Sequence, residues 1–98
     1  MYGTIARMKV KPGMLEQFRA MMSEAAADRN ETPGMVAVHI YQMDRDPNEL
    51  MIAVLFTDRA AYFGNANSSE QNDFYMQMVS FLESPPEWND GEVIYTTG

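Results

Sequence analysis

The 98-residue chain has no cysteine and only one histidine, His39. The first absence excludes a disulfide framework, a thiolate zinc site and a cysteine nucleophile. It also fits a reducing compartment. With one histidine, His-rich metal ligation fails on count, and no nucleophile-base-acid set is visible. Basic residues number 7 against 14 acidic ones, a net charge of −7. Lys and Arg are not clustered, so neither a nucleic-acid backbone nor an anionic membrane surface is an expected partner. The acidic balance serves solubility. Neither GxGxxG nor GxxxxGK[ST] occurs, which removes the common phosphate-cradling loops. The longest apolar run, Leu50 to Phe56, is too short to cross a bilayer. No targeting segment is read at the start, and the expected location is cytoplasmic.

What is present is a regular alternation of patterns. Tyr2–Val10 reads YGTIARMKV, with Ala6, Met8 and Val10 on one face and Ile5, Arg7 and Lys9 on the other. A period of two predicts a strand, and Lys11-Pro12-Gly13 breaks it. From Met14 to Asn30 there is no Gly or Pro. Leu15, Phe18, Met22, Ala25 and Ala26 recur at helical spacing before Thr32-Pro33-Gly34. Met35–Met43 predicts a second strand, with Val36, Val38 and Ile40 opposite Ala37, His39 and Tyr41. The polar turn from Asp44 to Glu49 leads into a third strand, Leu50–Phe56, apolar on both faces and therefore central.

Asp58 is placed to cap a helix from Arg59. Gly64 to Ser69 is expected to interrupt it, and a second stretch with Phe74, Met78, Phe81 and Leu82 runs to about Leu82. After Ser84-Pro85-Pro86, Glu92–Thr96 is the expected last strand. The order β-α-β-β-α-β over residues 1–98 predicts one α+β domain of ferredoxin-like topology. Its four-stranded antiparallel sheet would carry both helices on one face. The other face would expose Ile5, Ala37, Tyr41, Met51, Ala53 and Leu55. An apolar surface of that kind is expected to bury itself in a homodimer.

Candidate chemistry is sparse. Asp44 and Asp46, and Glu87 and Asp90, read as solvated turn residues rather than a hard-cation site, so no metal is expected. His39 lies on the open face, where a hydrogen-bonded interface residue is favoured over a general base. The methionines read as core fillers. The aromatic residues are more suggestive. Phe56 ends the third strand, Tyr62 and Phe63 follow, Phe74 and Tyr75 come from the next helical stretch, and Trp88 from the last loop. Over a broken helix they either fill the core or line a gap for a small planar ligand.

These residues carry a resemblance. IARMKVKPGMLEQF, TPGMVAVHIYQMDRDPNELMIAVLFTDRAAY and SSEQNDF together resemble the antibiotic biosynthesis monooxygenase family. Its markers are Val10-Lys11-Pro12-Gly13, Pro33-Gly34, Tyr41 before the Asp-Pro turn, and Asp58-x-Ala60-Ala61-Tyr62. The resemblance implies a dimeric α+β barrel. For some members it implies an oxygenase without metal or organic prosthetic group that oxidises quinol-like or polycyclic aromatic compounds. The implied cofactor set is therefore none.

Carried over by position, the family's helix-side tyrosine is Tyr62. The tryptophan ending strand three is replaced by Phe56, and the strand-three asparagine by Ile52. The second-helix arginine falls near Tyr75 or Met76. Histidines found around the helix break in many members fall at Asn65, Glu70 or Gln71. The haem-degrading branch needs a histidine there and an asparagine where this chain has Ala6, so haem degradation is not expected. Tyr62, as a hydrogen-bond donor to a substrate oxygen, and Asn65 are the expected catalytic residues. Phe56, Thr4, Tyr75, Phe74 and Ile52 are the expected substrate contacts. The competing expectation is a dimer that binds a small aromatic molecule, or serves a structural role, without catalysis.

Overall fold

The structure is a computed structural model that describes residues 1–28 and 32–97. Four strands, β1 (Tyr2–Lys9), β2 (Met35–Gln42), β3 (Glu49–Phe56) and β4 (Glu87–Glu92), form one sheet in the order β2-β3-β1-β4. Every neighbouring pair is antiparallel. Helix α1 (Leu15–Asp28) links β1 to β2, and α2 (Arg59–Ala66) and α3 (Ser69–Val79) link β3 to β4. This is the α+β ferredoxin-like arrangement, with β3 and β1 central.

The alternation in β1 sets the two faces. Thr4, Ala6, Met8 and Val10 are buried, whereas Ile5 and Arg7 are exposed. Opposite them in β3, Leu50, Ile52 and Phe56 are buried on the same side. Phe18 and Met21 of α1 and Met78 of α3 close this core. Phe18 stands edge-on to Phe81 with ring centroids 6.4 Å apart. Burying a phenylalanine of this kind contributes about 2–3 kcal/mol. The side-chain placement of Ala25 and Ala26 and the expected helix end at Asn30 fall outside the described residues.

Several boundaries differ from expectation. The last strand is Glu87–Glu92, not Glu92–Thr96. Ile94 and Tyr95, the apolar residues that suggested the later strand, are 97% and 80% exposed. β4 is an edge strand that pairs with β1 through its backbone, so its polar side chains do not oppose pairing. Trp88, Glu87 and Asp90 are therefore strand residues rather than loop and turn residues.

The helix break is shorter than Gly64–Ser69. α2 continues through Gly64, and Ser68 caps α3 by accepting from the Gln71 backbone N–H. Such a cap is worth about 1 kcal/mol. α3 ends at Val79, and Leu82 instead forms a bridge with Val10. In β2 the register slips between Met35 and Ala37, so Met35 rather than Val36 sits opposite Phe56. Gly34 precedes this bulge with φ +77, and a side chain there would meet the Ala61 Cβ at 2.6 Å. Both constraints demand glycine and let α2 settle against the strand end.

Glu49, read as part of a polar turn, is buried with only 3% exposure. Arg7 and Arg45 both donate to its carboxylate, Arg45 through Nη2 at 2.9 Å. Those bonds hold the Glu49 carboxyl at about 2, below the usual carboxylate range. Beside Lys9, His39 and Asn89, the open face carries apolar residues: Ile5 and Tyr41 are exposed, and Ala37, Met51, Ala53 and Leu55 are half-buried.

Candidate active site

A cleft of about 340 Å³ lies between the sheet and the broken helix pair. The helix-facing strand positions form its floor, with Thr4 and Met8 from β1, Ile52, Val54 and Phe56 from β3, and Trp88 and Asp90 from β4. Tyr62 and Phe63 of α2 and Phe74, Tyr75 and Met78 of α3 form its roof. The break between α2 and α3 is what keeps the roof from closing on the sheet.

Six of the lining residues are aromatic. Tyr62 meets Phe56 edge-on at 5.7 Å and Phe63 edge-on at 5.0 Å. Tyr75 and Trp88 stand 6.3 Å apart. These are the separations at which ring quadrupoles attract, so the walls hold one another in place. Trp88 reaches the cleft because β4 starts at Glu87, five residues earlier in the chain than the expected Glu92: Ala6 lies opposite Trp88, and Thr4 opposite Asp90.

Polar groups converge at Thr4, Tyr62 and Asp90. The Tyr62 hydroxyl donates to Asp90 Oδ1 at 2.8 Å. Burial, and then the bond to Asp90, push the Tyr62 phenol up to about 12, against a smaller opposing effect of the nearby Thr4 hydroxyl. Tyr62 therefore keeps its proton at neutral pH. Thr4 is 5% exposed, and its Oγ1 is buried near the Tyr62 oxygen without a well-formed hydrogen bond. A buried hydroxyl left unpaired costs roughly 1–3 kcal/mol, which a ligand atom could recover.

All seven residues expected from sequence — Thr4, Ile52, Phe56, Tyr62, Asn65, Phe74 and Tyr75 — line this one cleft. Two details differ from expectation. Tyr62 already gives its proton to Asp90, so its free capacity toward a ligand is as an acceptor. Asn65 sits on a wall shared with a wider groove of about 1130 Å³ behind α2, and its amide donates to Gln71 at 3.4 Å. Asp90 was missed because its partner lies 28 residues away and its strand carries no apolar alternation. His39 pairs with Ala53 on the other face, remote from the cleft. Among the described residues no three His, Cys, Asp or Glu side chains gather as a metal site, and no helix is long and apolar enough to cross a membrane.

A ferredoxin-like sheet with a cleft under a broken helix pair defines a class of small α+β proteins. Residues 1–75 match the antibiotic biosynthesis monooxygenase family. The chain belongs to that family. No curated protein matches it. Among solved structures it is similar to a variant of SnoaB, a cofactor-independent oxygenase from Streptomyces nogalater, at 16% identity and TM-score 0.83, covering 97% of this chain and 94% of that one. It is similar to Rv0793 from Mycobacterium tuberculosis at 16% identity and TM-score 0.83, over 99% and 98% of the two chains. A Nitrosomonas europaea protein assigned to the same family gives 18% identity and TM-score 0.83 over 97% and 100%. At these identities the likeness is one of fold.

Proposed function

We propose that the protein is a monooxygenase that needs no metal or organic prosthetic group and acts on a quinol-like or polycyclic phenolic compound. The observation that carries this is the cleft itself: aromatic walls sized for fused rings, with Thr4, Tyr62 and Asp90 as its converging polar groups. Family membership and the fold of the Streptomyces oxygenase support the same reading.

In the simplest balanced reaction a phenol and dioxygen give a quinone and water. One oxygen atom enters the ring as a new carbonyl, the other leaves as water, and the substrate supplies all the electrons. What this demands of the protein is orientation, exclusion of water and a fixed place for the phenolic proton. Phe56, Tyr75 and Trp88 would hold the ring, while Thr4 and Tyr62 would hold its oxygen. Asn65 would contact the substrate from the shared wall. Phe74 and Ile52 would complete the apolar lining.

The open face is part of the proposal. Its apolar residues, Ile5 and Tyr41 among them, fit a homodimer formed sheet against sheet.

Oxygen uptake with a panel of naphthols and hydroxyanthracenes tests the activity. The wild type is expected to consume oxygen with at least one of them. Tyr62→Phe is expected to lower turnover at least several-fold, roughly the cost of one lost positioning hydrogen bond. Uptake unchanged by Tyr62→Phe would remove Tyr62 from the mechanism. A second reading, binding without catalysis, draws on Ile52 and Phe56 standing where the family resemblance implies asparagine and tryptophan. Thermal stabilisation by the same compounds without oxygen uptake would favour it.

A further inference from the structure

We infer that Asp90 is a positioning residue that sets the hydrogen-bonding polarity of Tyr62, so that the cleft selects a hydroxyl-bearing ring over its carbonyl or ether counterpart. The inference rests on the cleft being the ligand site, as proposed above.

A phenol has one proton to give. Tyr62 gives it to Asp90 Oδ1 at 2.8 Å, and only lone pairs remain on its oxygen. Asp90 is exposed, and its second carboxylate oxygen adds another acceptor. The uncommitted hydroxyl at this place is Thr4, which is buried and unpaired and lies opposite Asp90 across the β1–β4 pair. Asn65 gives one of its two amide hydrogens to Gln71, and it and the Gln71 and Asn72 amides line the cleft from the helix side.

A ligand hydroxyl satisfies this set. Its proton goes to the Tyr62 oxygen or to Asp90, and its oxygen accepts from Thr4. A carbonyl or an ether cannot use the Tyr62 and Asp90 lone pairs and sets its own against them, which is the costly mismatch at this end of the cleft. Without Asp90, the Tyr62 proton is free to turn toward the ligand, and the preference for a donor is lost. The same polarity has a consequence for turnover: a phenolic substrate is held, and a quinone product, which lacks the proton, is released.

The test measures binding under anaerobic conditions, so it does not depend on turnover. The probes are 1-naphthol, 1-methoxynaphthalene and 1,4-naphthoquinone, followed by titration calorimetry. Wild type is expected to bind 1-naphthol at least about tenfold tighter than either other probe, the scale of one well-made hydrogen bond against an unmet one. Asp90→Ala is expected to cut the naphthol-to-quinone ratio at least about fivefold, on the same scale. A purely structural role for Asp90 would instead weaken all three probes alike.

Because Asp90 acts mainly through Tyr62, adding Asp90→Ala to Tyr62→Phe is expected to change the ratio less than Asp90→Ala does alone. If Asp90→Ala does not fold, as judged by circular dichroism, Asp90→Asn must shift the ratio in the same direction, by less. A wild-type preference for the quinone, or a ratio unmoved by both Asp90 variants, overturns the inference. Discrimination as expected without oxygen uptake would overturn the oxygenase reading and leave this one standing. Uptake without discrimination would do the reverse.

Discussion

Glu49 on one face of the sheet and Asp90 on the other are carboxylates that the sequence places in turns, and the two are used in opposite ways. Glu49, on the open face, is 3% exposed and takes hydrogen bonds from both Arg7 and Arg45. Its acceptor capacity is largely spent inside the protein. Asp90, on the helix-covered face, is exposed and accepts from Tyr62. Its remaining oxygen is open to whatever enters the cleft. A carboxylate surrounded by donors stabilises a fold. One with a single donor beside an unpaired hydroxyl has capacity left for a ligand.

The faces also differ in what covers them. Helices bury Ala6, Met8 and Ile52 on one side. On the other side Ile5, in the central strand β1, is 53% exposed; on the helix side exposure of this order is confined to edge-strand residues such as Val38 and Ile40, at 39% and 42%. If a second copy covers the open face, Ile5→Asp places an unpaired charge in the interface. It is expected to weaken dimerisation by more than about 100-fold, since an uncompensated buried charge costs several kcal/mol. The core on the other face should leave the subunit folded. Sedimentation velocity at micromolar concentration reads this directly, and a wild type that is already monomeric would break the comparison.

Acid sharpens the contrast between the carboxylates. The Glu49 pKa falls from an ordinary 4.5 to about 2 on folding. A depressed carboxyl pKa means the unfolded chain takes up the proton first. The contribution is therefore fully present above pH 4.5 and is lost as pH falls through about 2. Thermal melts between pH 5 and pH 2.5 should show this slope. Glu49→Gln should remove the greater part of it while lowering stability at neutral pH. An unchanged acid slope would mean that the two arginines do not grip the carboxylate in solution.

The smallest effect is of opposite sign. Thr4→Val removes the buried unpaired hydroxyl at nearly constant volume, so it should stabilise the fold by about 1 kcal/mol in urea titration. It should also weaken naphthol binding. Destabilisation instead would show that Thr4 Oγ1 has a partner within the fold.

β1, β2 and β3 were legible because each alternates or fills both faces with apolar residues. β4 was not, because EWNDGE has no such pattern and is held by backbone pairing to the free edge of β1. That these seven residues share one cleft was legible through the family resemblance together with the face each occupies. Asp90 was not, since its role depends on a register that no local signal reports. The bulge that puts Met35 rather than Val36 opposite Phe56 escaped for the same reason.

By itself the sequence determined the element order, the two faces of the central strands and the cluster of aromatic residues around Tyr62. These follow from local periodicity and chain order, which are properties of neighbours along the chain. Only the tertiary structure decided which carboxylate is buried and which meets Tyr62. Both outcomes turn on groups far apart in the chain, Arg7 with Glu49 and Tyr62 with Asp90, brought within hydrogen-bond reach by strand register and helix placement. Hydrogen bonds act over about 3 Å, and no pattern along the chain specifies distances that fine.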